Sequence, residues 1–184
     1  MKNLMYILLI TVGMVACKPQ EARRPVSNSS GTFIDQSIDR NIKQVAFEEK
    51  LIEDIIAKDT ANQYIASKNG FWYYYVAKDM AKSTLPQVGD QLVFDYKVDR
   101  LDGTPIYTVD EVSPKSYVMD KEEIFTGLRI GLKLMKTGET VTFLFPSHLG
   151  FGYYGDKNKI GTNYPLKTTV SLTTLKKEND SIIN

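Results

Sequence analysis

Residues 123–152 read EIFTGLRIGLKLMKTGETVTFLFPSHLGFG. Apolar residues recur at Ile124, Leu128, Leu132 and Met135, a helical spacing that gives the segment one apolar face. Gly127 and Gly131 leave room on it for a neighbouring backbone. Lys136, Thr137, Gly138 and Glu139 form a turn, since glycine supplies the positive φ that tight corners often need. Val141, Phe143 and Phe145 then alternate with Thr142 and Leu144, the period of a strand with an apolar inner face. Pro146 ends the strand, and residues 147–152 read as a loop.

Towards the N-terminus, Val93-Phe94-Asp95-Tyr96 reads as a strand and Leu101-Asp102-Gly103-Thr104 as the turn after it. Towards the C-terminus, residues 168–175 (TTVSLTTL) form a terminal strand. The order E-I-F-x-G-L-x-x-G-L-x-x-M-x-x-G-E, strand, P-S-x-L-G-F-G, with these flanks, resembles the FKBP-type peptidyl-prolyl cis/trans isomerases over residues 86–176. The resemblance implies an α+β fold, a half-wrapped antiparallel β-sheet around a short α-helix, with an amphipathic helix before it.

The chain has 184 residues, of which 42% are apolar and 24% charged, the balance of a globular protein. That length holds one domain of ordinary size with attachments. The net charge of +1 argues against a nucleic-acid-binding surface, and no nucleic acid is expected as partner. The sequence contains no internal repeat, P-loop or dinucleotide fingerprint.

Met1-Lys2-Asn3 is a short positive start, and the apolar run of residues 4–15 is too short for a comfortable membrane span. Met14-Val15-Ala16-Cys17 resembles a bacterial lipobox, in which small residues precede a cysteine that is lipidated and becomes the new N-terminus. This implies removal of residues 1–16 and a lipid anchor at Cys17, each buried methylene contributing about 0.8 kcal/mol. It implies export to the cell envelope; the motif does not distinguish inner from outer membrane or either face, and the periplasmic face of the outer membrane is the expected location. The alternative is a plain signal-anchor with an incidental cysteine. Residues 17–32 are polar and read as a flexible tether.

Residues 33–60 read as an amphipathic helix, with Ile38, Ile42, Val45, Phe47, Leu51, Ile52, Ile55 and Ile56 mostly three or four apart and Ser37 or Asp39 as its cap. Packing of this stripe on the following domain is favoured; a homodimer through residues 37–58 is the sharper reading, because some exported members of the resembled family dimerise through N-terminal helices. Asn69-Gly70 marks a turn, and the aromatic run of residues 71–76 is a strand more readily placed in a core than on a binding platform. The isomerase domain is therefore expected over residues 64–178, with a tail at 179–184. Residues 150–167 form a long loop of the kind that carries function.

Position by position, the resemblance puts Tyr96 on the pocket wall, and Ile106 and Tyr107 where the family usually has phenylalanine and aspartate. Ile124 and Phe125 match the apolar pair whose backbone binds ligands, with Glu123 at the rim. Leu128 falls at the pocket floor, where many members have tryptophan, and Phe151 where a tyrosine commonly donates a hydrogen bond. Tyr164 and Pro165 belong to the late loop over the pocket. Prolyl rotation needs an apolar, water-poor pocket and no nucleophile, so no cofactor and no metal are expected. Tyr107 and Phe151 remove two polar contacts of about 0.5–1.5 kcal/mol each, which implies weak to moderate activity. The hydroxyl of Tyr107 offers partial compensation. His148 is expected at the surface or rim, and Glu122 and Glu123 face apart. The partners implied are proline-containing exported polypeptides and, through Cys17, a membrane. The gliding-motility-associated FKBP-type lipoproteins of Bacteroidetes resemble the chain in lipobox, tether, helix and the FGYYGDKNKIG loop. A non-catalytic peptide-binding chaperone or envelope assembly factor is the alternative function.

Overall fold

The structure is a computed structural model that describes residues 31–79 and 84–178. The leader, Cys17, the tether up to residue 30 and the tail at 179–184 lie outside the described residues. The chain divides into two units, Met1–Ser37 and Ile38–Asn184.

The first described element is α1, Gly31–Lys58. It begins before Ser37 and Asp39, the caps read from the sequence, because Ile34 continues the every-fourth-residue spacing of Ile38 and Ile42. Its later half is seated, with Glu48 and Ile52 buried, whereas Ile38, Ile42 and Phe47 are exposed.

Seven strands follow: β1 (Ile65–Ala66), β2 (Trp72–Ala77), β3 (Gln91–Asp99), β4 (Pro105–Tyr107), β5 (Lys115–Val118), β6 (Thr140–Phe145) and β7 (Leu166–Lys176). They form one antiparallel sheet in the order β1-β2-β6-β7-β3-β4, with β5 also paired to β3. The helices α2 (Val109–Val112) and α3 (Thr126–Leu132) lie between β4 and β5 and between β5 and β6. The half-wrapped antiparallel sheet around a short helix is thus the observed fold. Leu128 and Leu132 of α3 and Met135 after it are buried with Phe94, Val141, Phe143, Phe145 and Val170 from the sheet.

Two local expectations change. The helix starts at Thr126 and not at Ile124, because Phe125 is an extended cap with φ −61° and ψ 145°; Ile124 and Phe125 lie in the approach to the helix. The two glycines of α3 accommodate aromatic rings more than backbone. A Cβ on Gly127 would stand 2.6 Å from the Phe145 ring and 2.9 Å from the Leu149 carbonyl, and one on Gly131 would stand 2.9 Å from the Phe143 ring. The turn at 136–139 forms as read: Gly138 has φ +88°, and the Lys136 N–H donates to the Glu139 carboxylate at 2.8 Å.

The strand β6 is buried on both faces, Thr142 and Leu144 as fully as Phe143. On the outer face the Thr142 and Thr169 hydroxyls are bonded at 2.9 Å across β6 and β7. Of the run at residues 71–76, Phe71 and Tyr74 are buried, Trp72, Tyr73 and Tyr75 are half-buried and Val76 is exposed: Phe71 packs edge-on against Phe145 at 5.3 Å, while Tyr74, on the opposite face from Tyr73, meets Tyr64 at 4.9 Å.

Candidate active site

Tyr96 sits on β3 with its backbone pinned from the loop before β5. Its N–H donates to the Ser113 hydroxyl oxygen at 2.7 Å, and the Ser113 hydroxyl lies 3.1 Å from the Tyr96 carbonyl. The Tyr96 ring packs on Phe94 at 5.7 Å and links the main core to a second apolar cluster of Val98, Ile160 and Leu166. Ile106, Tyr107, Phe151 and Tyr164 pack on that same cluster. Phe125 reaches it from the α3 side, its ring 5.2 Å from Phe151 and 5.7 Å from Phe145. Leu128 is wholly buried in the core.

An open cleft of about 500 Å³ lies beside Phe125 and Phe151, lined by Glu122, Glu123, Ile124, Phe125, Arg129, Gly150 and Phe151, while Tyr96, Ile106 and Tyr107 are not among its walls. Residues from β3, β4, the approach to α3 and the loops before β7 converge on the apolar cluster next to it. Pro165 stands apart. With Tyr164 it lines a second groove of about 640 Å³, whose other walls include Leu51 and Ile55 of α1 and Leu101. That groove is the larger, but it shares only Tyr164 and Pro165 with the residues expected from the sequence, and the aromatic convergence is at the smaller cleft. His148 is exposed, and so is Glu123 at the cleft rim.

Tyr107 has a role the sequence did not reveal. Its hydroxyl donates to Asp156 Oδ2 and accepts from Asn158 Nδ2 at 3.0 Å, and both partners belong to the long loop before β7. The hydroxyl is thus engaged in holding that loop. The other Asp156 oxygen accepts the backbone N–H groups of Asn158 and Ile160, each at 2.8 Å, which places Ile160 in the second cluster. Lys159 closes the clasp, paired with Glu111 of α2 and 4.8 Å above the Tyr107 ring.

Burial raises the Tyr107 phenol above its ordinary value, and the hydrogen bond to Asp156 adds to this. For Asp156, burial would push the carboxyl up, but the bonds from Tyr107, Ile160 and Asn158 outweigh it and hold the group below the usual carboxylate value. Tyr96 is raised by burial and by its neighbour Tyr107. Around neutral pH these site groups hold fixed charge states: two neutral phenols and one carboxylate. What the arrangement offers is an apolar cluster beside an open cleft, with Tyr107 and Asp156 holding the loop that carries Ile160.

Sequence reasoning passed over Asp156, Asn158, Ile160 and Glu48. The Gly155-Asp156-Lys157-Asn158 stretch carried a signal for the first two, because aspartate in a turn accepts N–H groups from residues just after it. Nothing local identified their bonds to Tyr107.

The family model described as FKBP-type peptidyl-prolyl cis-trans isomerase matches residues 82–173. The human peptidyl-prolyl cis-trans isomerase FKBP9 is 35% identical over 75 residues, covering 40% of this chain and 13% of that protein, and the mouse protein of that name gives the same figures. The chain thus spans 13% of the length of the curated relatives it matches. Among solved structures, FkpA from Escherichia coli superposes with a TM-score of 0.60 at 20% identity, over 96% of this chain and 82% of that one. A peptidyl-prolyl cis-trans isomerase from Pseudomonas syringae pv. tomato gives a TM-score of 0.56 at 17% identity, over 72% of this chain and 96% of that one. These two share the fold.

Proposed function

Because the chain belongs to the FKBP-type peptidyl-prolyl cis-trans isomerase family, we propose that it accelerates rotation about X–Pro bonds of polypeptides bound in the cleft beside Phe125 and Phe151. The observation that carries this reading is the packing of Tyr96, Ile106, Tyr107 and Phe151 on one apolar cluster that Phe125 completes. The barrier to be lowered is about 18–20 kcal/mol, set by the amide resonance that twisting removes. A twisted amide has less charge separation than a planar one, so a recess poor in water favours it over the ground state. Phe125, Phe151 and Tyr96 hold the proline ring and exclude water, and Ile106 closes the recess on the β4 side. No proton moves in this reaction. The hydroxyl that Phe151 lacks is not replaced by Tyr107, whose own hydroxyl is bound to Asp156. The activity expected is correspondingly weak to moderate.

The proposed clients are exported proline-containing chains. The lipobox-like residues 14–17 support a lipid anchor at Cys17 in the cell envelope, and the location proposed for it is the periplasmic face of the outer membrane. A link to gliding motility rests on the likeness of the leader, helix and late loop alone. Exposed Ile38, Ile42 and Phe47 support a homodimer through residues 37–58, and buried Glu48 and Ile52 support packing of the later half of that helix on its own domain. A second reading, peptide holding without catalysis, is favoured by the groove of Leu51, Ile55, Leu101, Tyr164 and Pro165.

The test is the isomerisation rate of a short Phe-Pro peptide with the chain and with a Tyr96→Ala, Phe125→Ala double variant. Acceleration that the double variant abolishes supports the enzyme reading. No acceleration by folded protein sinks it and leaves peptide holding.

A further inference from the structure

The carboxylate of Glu48, on α1, is 1% exposed and bonded to a residue 99 positions away. Its Oε2 accepts the Ser147 backbone N–H at 2.6 Å, and its Oε1 accepts the Ser147 hydroxyl at 2.8 Å and the Gln44 side-chain amide at 2.7 Å. Both oxygens are thereby satisfied, as a buried carboxylate requires. Ser147 opens the short 3₁₀ turn Ser147–Leu149. An opening N–H has no partner within its own turn, and Pro146, at the cap position, has no side-chain acceptor to offer it. Glu48 supplies that acceptor from another element.

The turn leads directly to the cleft. Gly150 N–H donates to the Ser147 carbonyl at 3.0 Å, the Leu149 carbonyl lies against Gly127 of α3, and Phe151 follows with its ring on Phe125. Gly150 and Phe151 are cleft walls. We propose that Glu48 is a positioning residue for the prolyl site: through Ser147 it sets where Phe151 stands against Phe125. The residues matched by the family model, 82–173, do not include Glu48, so α1 is on this view a working part of the isomerase beyond the family segment. Its activity consequence rests on the isomerase reading; its geometric consequence does not.

The experiment uses the full chain and compares Glu48→Ala and Ser147→Ala with Asp90→Asn. Asp90 is a buried carboxylate bonded to Lys177 and to the backbone of Gln87 and Glu178, none of which lines the cleft, and it controls for lost stability. Two quantities are read on protein that remains folded: kcat/KM for the Phe-Pro peptide and the NMR ring resonances of Phe125 and Phe151. Glu48→Ala is expected to lower kcat/KM about tenfold, mainly through kcat, and to shift both rings. Ser147→Ala, which keeps the backbone bond, is expected to do the same to a smaller degree, and it decides the matter if Glu48→Ala does not fold. Asp90→Asn is expected to leave kcat/KM within about twofold and the rings in place. Unmoved rings in both Glu48→Ala and Ser147→Ala, or a loss of activity no larger than that of Asp90→Asn, would overturn the proposal. If the unmodified chain has no isomerase activity, the function reading fails by itself, and the ring shifts alone decide the positioning.

Discussion

Residues 123–145 and residues 151–165 meet where Phe125 touches Phe151, and different forces hold them. The first region is anchored by apolar burial: α3 and β6 place Leu128, Leu132, Phe143 and Phe145 in the main core with no exposed surface. The second has little core of its own. Ile160 is buried, while Tyr153 and Tyr154 are exposed, and the loop is tied down by the Tyr107–Asp156–Asn158 bonds and the Lys159–Glu111 pair. Burial of that size contributes to global stability. Hydrogen bonds of about 0.5–1.5 kcal/mol each fix a local position. Damage to the first region should therefore appear as unfolding, and damage to the second as lost activity in a folded protein.

The largest effect expected is that of Phe143→Ala, which opens a cavity beside Phe71, Tyr73 and Phe145. It should lower stability by about 3–5 kcal/mol, read from urea unfolding. Gly127→Ala comes next. Alanine favours a helix by about 1 kcal/mol over glycine, but the 2.6 Å approach to the Phe145 ring reverses the sign. A net loss of about 1–3 kcal/mol by the same measurement is expected. A gain in stability would show that α3 is less tightly seated than these distances require.

Tyr107→Phe sharpens the contrast. It leaves the ring and removes the hydroxyl, so the urea midpoint should move little, while amide exchange at residues 156–160 quickens and kcat/KM falls by up to about tenfold. An equal loss of stability and activity would erase the distinction between the two regions.

Acid should give the smallest effect. The folded carboxyl of Asp156 titrates below its ordinary 3.8, so its contribution is fully present above that value and is lost as pH falls through the folded value. Asp90 follows the same sign: burial opposes ionisation, but Lys177 and the backbone of Gln87 and Glu178 lower the group. Exchange protection of residues 156–160 should fade below about pH 4, and the Tyr107→Phe chain should show a shallower dependence. Above that, the site groups do not titrate until the raised phenols do, so kcat/KM should be flat between about pH 5 and about pH 9.

The sequence was most legible where spacing is local. The helical period of Leu128 and Leu132, the turn at Gly138 and the alternation of Val141, Phe143 and Phe145 each depend on neighbours within a few residues. So do the strands around Tyr96 and Thr168, whereas their antiparallel arrangement is implied by the family resemblance and not by spacing. Locally wrong was the first turn of α3, where extended backbone at Phe125 interrupts an apolar spacing that continues through it; the burial of the outer face of β6 is an addition that alternation could not supply.

The sequence by itself determined the elements and their order, because helices and strands are set by the period of burial along the chain, and the resemblance of its motifs implied the apolar chemistry of the site. Tertiary structure alone decided which polar groups meet. Tyr107 reads as a substitute inside the pocket until Asp156, 49 positions on, is seen to engage its hydroxyl. Glu48 reads as one more charge between the apolar positions of an amphipathic helix until it is found bonded to Ser147. A hydrogen bond over such a separation leaves no period in the sequence, since only the folded chain brings donor and acceptor within 3 Å.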